Sequence, residues 1–139
     1  VDAFDRATKG GMNPGANRDA FSSYGKLLLT ERRWEEARTI LARLLASAEG
    51  PEAAEVAVSL ADAWVGQGNH LAAAEYYMTA AYLTPESVTG YKALLAAGRS
   101  FAAAKDPDAA AVVYGKLLAS DVPRDIATAA RRGLADLRR

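Results

Sequence analysis

The chain has 139 residues, 50% of them hydrophobic, which suits one packed domain. Its 17 Lys and Arg balance 17 Asp and Glu, so no overall field draws it to nucleic acid or to an anionic membrane. The absence of cysteine excludes disulfides, thiolate zinc sites and thiol nucleophiles. No apolar run approaches the ~20 residues that cross a bilayer, so direct membrane insertion is not expected.

Helical periodicity runs through the sequence, and no stretch alternates with the period of a strand. The chain opens at Val1 without a basic-then-apolar leader. Phe4-x-x-Ala7 has the spacing met later at Tyr77-x-x-Ala80. That match predicts a remnant helix of a preceding unit over residues 1–12, within a longer protein. Residues 16–31 then place Phe21, Tyr24, Leu28 and Leu29 on one side of a helix. Residues 34–48 do the same with Trp34, Ala37, Ile40, Leu41, Leu44 and Leu45. The next two helices carry Ala57, Leu60, Ala61 and Trp64, then Ala73 and Tyr77. Another pair carries Leu94, Ala97, Gly98 and Phe101, then Ala110 and Tyr114. A last helix over 123–138 has Ile126, Ala129, Ala130, Leu134 and Leu137 on one face. Its other face holds Arg124, Arg131, Arg132, Arg138 and Arg139, read as solvated rather than as a phosphate-binding stripe.

Short turns are expected near Glu31–Arg33, Gly66–Asn69 and Lys105–Asp106, which makes paired helices adjacent. The prolines Pro14, Pro51, Pro85, Pro107 and Pro123 each precede a helical run, where a missing amide proton costs least. Asp106 and Thr84 are expected caps for the free amides of the following helices.

One pattern recurs three times. Gly25, Ala61 and Gly98 stand 36 and 37 residues apart, and Ala37, Ala73 and Ala110 repeat both steps. Large residues fill the positions between them. The array resembles the tetratricopeptide repeat family, whose period is about 34 residues with this order of large and small positions. The resemblance implies an all-α fold, a right-handed α-solenoid of antiparallel helical hairpins. The units would be 18–51, 54–87 and 91–122, with a capping helix at 123–139, all in one domain. The chain departs from the family in keeping the turn glycine only at Gly68, with Arg32 and Lys105 elsewhere. It has Trp34, His70 and Pro107 two residues after that position, and a clear closing proline only at Pro85.

In that family the first helix of each hairpin lines a concave surface. The resemblance therefore makes Ser22, Lys26 and Leu29, Val58, Asp62 and Val65, and Leu95, Arg99 and Ala102 the groove candidates. The family's clamp for a chaperone's C-terminal carboxylate needs asparagines that are not at these positions. An apolar floor flanked by Lys26, Asp62 and Arg99 suits instead an amphipathic helix or extended segment of a protein partner. The expected role is a non-enzymatic interaction scaffold without metal or cofactor and without a nucleic-acid ligand. The alternative is a self-assembling module, a homo-oligomer formed through an exposed hairpin face with residues 1–9 docking on a neighbouring copy, or a part of bacterial cell-envelope assembly, to whose repeat proteins the last helix at 129–137 is similar.

Other features read more plainly as structure. His70 sits where the first unit has Trp34, and packing at a helix start outweighs a metal role. Gly66-x-Gly68 has no preceding strand and reads as a turn. Glu35-Glu36 and Asp106-x-Asp108 suit the positive ends of helices. Most aromatic residues are core wedges, while Tyr76, Tyr82 and Tyr91 have spacings that leave room for surface exposure.

Overall fold

The three interhelix turns expected from the sequence share one backbone conformation. Arg32, Gly68 and Lys105, equivalent under the 36- and 37-residue steps, have φ of 60°, 80° and 66°. Each turn closes with the same hydrogen bonds: Arg32 N to Leu29 O and Arg33 N to Leu28 O, Gly68 N to Val65 O and Asn69 N to Trp64 O, Lys105 N to Ala102 O and Asp106 N to Phe101 O. This is the Schellman ending, in which a left-handed residue turns the chain back while satisfying the last carbonyls of a helix. Glycine takes that conformation without steric cost; Arg32 and Lys105 adopt it because the turn demands it.

The computed structural model describes residues 18–138, and the expected remnant helix at 1–12 and Pro14 lie outside them. Among the described residues every regular element is a helix: α1 (Arg18–Thr30), α2 (Trp34–Ser47), α3 (Gly50–Gly66), α4 (His70–Leu83), α5 (Val88–Ala103), α6 (Pro107–Leu118) and α7 (Arg124–Asp136). The helices α3 and α5 start ahead of the expected unit boundaries at 54 and 91. Local chemistry explains the second start. Ser87 accepts a hydrogen bond from Gly90 N at 3.0 Å and caps α5. Thr84, the expected cap, instead ends α4, its hydroxyl donating to Ala80 O at 2.8 Å. Asp106 caps α6 as expected, accepting from Ala109 N at 3.2 Å. Pro51 and Pro107 lie in first turns, whereas Pro123 stands just outside α7 and Pro85 falls in the turn between α4 and α5.

Each helix packs on the next along the chain, and α1 also meets α3, as α5 meets α7. The helix α3 divides two apolar clusters. Val56 and Leu60 join Phe21, Tyr24, Leu28, Ile40, Leu41 and Leu44 of α1 and α2. Ala54, Ala57 and Ala61 join the cluster that runs on through α4 to α7. The small positions Gly25, Ala37, Ala61, Ala73, Gly98 and Ala110 are all buried. At the two glycines the small size is required. A Cβ on Gly25 would lie 2.7 Å from Leu41, and one on Gly98 would lie 2.5 Å from the Tyr114 ring. A third glycine, Gly133 of α7, lies on the same ring, where its Cβ would be 2.5 Å away. Tyr114 is thus held between α5 and α7 at 2% exposure.

Two glycines of similar sequence context should therefore respond oppositely. Gly98→Ala overpacks Tyr114 and is expected to cost about 1–3 kcal/mol. Gly115→Ala, in α6 with nothing within 4 Å of the new atom, is expected to stabilise by about 0.5–1 kcal/mol from helix propensity. Arg32→Gly relieves a left-handed side chain and is expected to stabilise by up to about 1 kcal/mol. Urea unfolding of the three variants measures all three signs.

Candidate functional site

The nine groove candidates fall into three equivalent sets, and the structure treats the sets differently. The first is Ser22, Val58 and Leu95. Ser22 and Val58 are half-buried, but Leu95 is only 8% exposed and belongs to the larger core cluster. At this position α5 packs on several neighbours, and the Leu95 side chain is taken into the interior. The third set is Leu29, Val65 and Ala102. Here Leu29 and Ala102 are half-buried and Val65 is 38% exposed, so this row keeps apolar surface in solvent.

The middle set, Lys26, Asp62 and Arg99, carries the charge. Lys26 Nζ pairs with Glu55 Oε1 of α3 at 3.0 Å. Arg18 bridges the same helices through Glu52 at 3.0 Å. Exposed pairs of this kind contribute about 0–1 kcal/mol. Asp62 accepts a hydrogen bond from the Tyr77 hydroxyl at 2.5 Å. Burial pushes the Asp62 carboxyl above its ordinary value, against the lowering effect of that bond. Burial and the neighbouring carboxylate push the Tyr77 phenol up as well, so it remains a donor. Arg99 is exposed and has no ion pair among the described residues.

Arg99 and Ala102 are brought together in a cleft of about 730 Å³ between α5, α6 and α7, with Lys105, Arg132 and Asp136 beside them. Tyr114 also lines it. Burial raises its phenol pKa; Arg99 draws it down and Asp136 raises it. The other candidates, on α1 and α3 and at Leu95 of α5, are not part of this cleft. Sequence reasoning assigned Arg132 only to a solvated face and gave Lys105 only a turn role.

A second hollow, of about 1120 Å³, lies around the turn between α4 and α5. Tyr82, Tyr91, Met78 and Pro85 line it, with Lys116 and Asp121 at its side. Tyr82 is 83% exposed, whereas Tyr76 and Tyr91 are half-buried. At the other end of the molecule the Arg38 guanidinium stacks on the Trp64 ring, 4.0 Å from its centroid. Such a contact contributes about 0.5–2 kcal/mol.

The Asp62 carboxyl gives a pH test with a definite sign. A carboxyl raised in the folded state favours folding when protonated. That contribution is complete below the ordinary value of 3.8 and disappears as pH rises through the higher folded value. Asp62→Asn lacks this dependence and keeps an oxygen for the Tyr77 hydroxyl. Its stability relative to the parent chain is expected to rise between pH 4 and pH 7, as measured by urea midpoints. Parallel pH profiles would refute the assignment.

Compared with models of known protein families the chain matches none, and no curated protein matches it.

Proposed function

We propose that the protein is a non-enzymatic interaction scaffold, a solenoid of tetratricopeptide-like hairpins that holds a segment of a partner protein against its first helices α1, α3 and α5. The observation that carries this reading is the recurrence of one left-handed turn at Arg32, Gly68 and Lys105, in step with the small positions Gly25, Ala61 and Gly98. Units that repeat both their turn and their closest helix approach stack side by side, and stacking creates extended surfaces suited to peptides. The contacts of α1 with α3 and of α5 with α7 support a side of the molecule on which α1 lies beside α3 and α5 beside α7.

On that side the partner meets the apolar row of Leu29, Val65 and Ala102 beside the polar row of Lys26, Asp62 and Arg99. Hydrophobic anchors of an amphipathic helix or extended segment would occupy the first row, and polar groups on the second would set its register. Val65 keeps 38% of its surface in solvent, where an isolated valine gains nothing.

Partner capture by the purified chain tests the reading. Leu29→Arg with Val65→Arg introduces charge into the apolar row without entering the interior at Leu95. Captured protein is expected to fall at least tenfold, about 1.4 kcal/mol, while circular dichroism shows unchanged helicity. Equal capture by both chains would sink the reading.

A further inference from the structure

The end of α6 nearest its preceding turn is open where the corresponding end of α2 is filled. Trp34 is the first residue of α2, and its ring lies against the end of α3, so close to Gly66 that no Cβ fits there. The 36- and 37-residue steps place His70 and Pro107 at the start of α4 and α6. Pro107 has no indole to fill the space, and it lines the 730 Å³ cleft between α5, α6 and α7.

The charge in this cleft is unbalanced although the whole chain is neutral. Arg99 comes from α5, Lys105 from the turn and Arg132 from α7, against the single carboxylate of Asp136. None of the three cations has an ion pair among the described residues. Their equivalents elsewhere differ. Lys26 is engaged by Glu55, and Asp62 takes the Tyr77 hydroxyl; of this set, Arg99 alone is left for an outside group. The backbone of Lys105 is set by its turn, φ 66°. Tyr114 is fixed between Gly98 and Gly133, so α5 and α7, which carry the two arginines, have a defined separation. Ala102, Ala129 and Leu137 add apolar surface.

We propose that this cleft receives an acidic segment of a partner protein, its carboxylates held by Arg99, Lys105 and Arg132 and an apolar side chain resting on Ala102, Ala129 and Leu137. The proposal rests on the scaffold reading and names the partner's chemistry at one end of it. Guanidinium groups bind carboxylates through paired donors, and an exposed cleft makes the interaction salt-sensitive.

The test is fluorescence anisotropy of a fluorescein-labelled peptide of alternating Glu and Leu, titrated with the full chain. Binding is expected to weaken as salt rises, and to fall at least tenfold in Pro107→Trp, which fills the space as Trp34 does and leaves every cation in place. The double variant Arg99→Ala with Arg132→Ala changes exposed side chains only, and is expected to lose binding to the same degree with its melting curve unchanged. Wild-type affinity in both variants overturns the proposal, as does equal binding of a Lys–Leu peptide. Tighter binding of a single-stranded oligonucleotide would overturn it in favour of nucleic acid. Absence of peptide binding, with partner capture still dependent on Leu29 and Val65, overturns the cleft assignment alone. If capture is also insensitive to those two residues, the scaffold reading falls with it.

Discussion

The structure depends on how closely its helices approach one another at a few small residues. Gly98 and Gly133 leave room for one tyrosine ring between α5 and α7, and Gly25 leaves room for Leu41. Interiors pack at crystal-like density, so a methyl group at such a place has nowhere to go unless a helix moves. The large residue on one helix and the missing side chain on its neighbour act as a single fitted contact. Because α5, α6 and α7 meet on one ring, the separation of the outer two is set by the middle one. The position of Arg99 relative to Arg132 follows from that.

Turn geometry supplies the second constraint. Three equivalent residues occupy the left-handed region although only one is glycine. Arg32 and Lys105 bear a steric cost that Gly68 does not, and the hydrogen bonds closing each turn offset it. The capping differs as well. Asn69 and Asp106 accept a hydrogen bond from the following helix, while Arg33 makes no side-chain cap and binds Glu36 instead. Identical backbone turns therefore carry different side chains. The contrast between Trp34 and Pro107 is the clearest case: one fills the space between the start of its helix and the end of α3, and the other lines a cleft.

Much of this was legible in sequence. Helix positions followed from apolar spacing, and the three turns fell where Glu31–Arg33, Gly66–Asn69 and Lys105–Asp106 placed them. Of Tyr76, Tyr82 and Tyr91, whose spacing left room for exposure, Tyr82 is exposed and the other two are half-buried; the cap at Asp106 followed from its position. One assignment failed for a physical reason. Thr84 has the chemistry of a cap, but its hydroxyl turned back to Ala80, and Ser87 took the role. The depth of Leu95 was not legible: it shares a helix face with Arg99 and Ala102, and its place in the core cluster depends on the helices packed around α5.

The sequence by itself determined the helical class, the turn positions and the recurring small residues, because these arise from local periodicity and from steric demands within a few residues. It also displayed Pro107 where Trp34 stands in the first unit. Only the tertiary structure decided what that exchange does. Trp34 fills its space because the end of α3 lies against it, and Pro107 leaves one because α7 passes alongside α5 and α6 at the distance set by Tyr114. Arg132 is remote from Arg99 along the chain, and no local pattern joins them. Their meeting in one cleft is a property of packing, which depends on the shapes of side chains that touch rather than on their order.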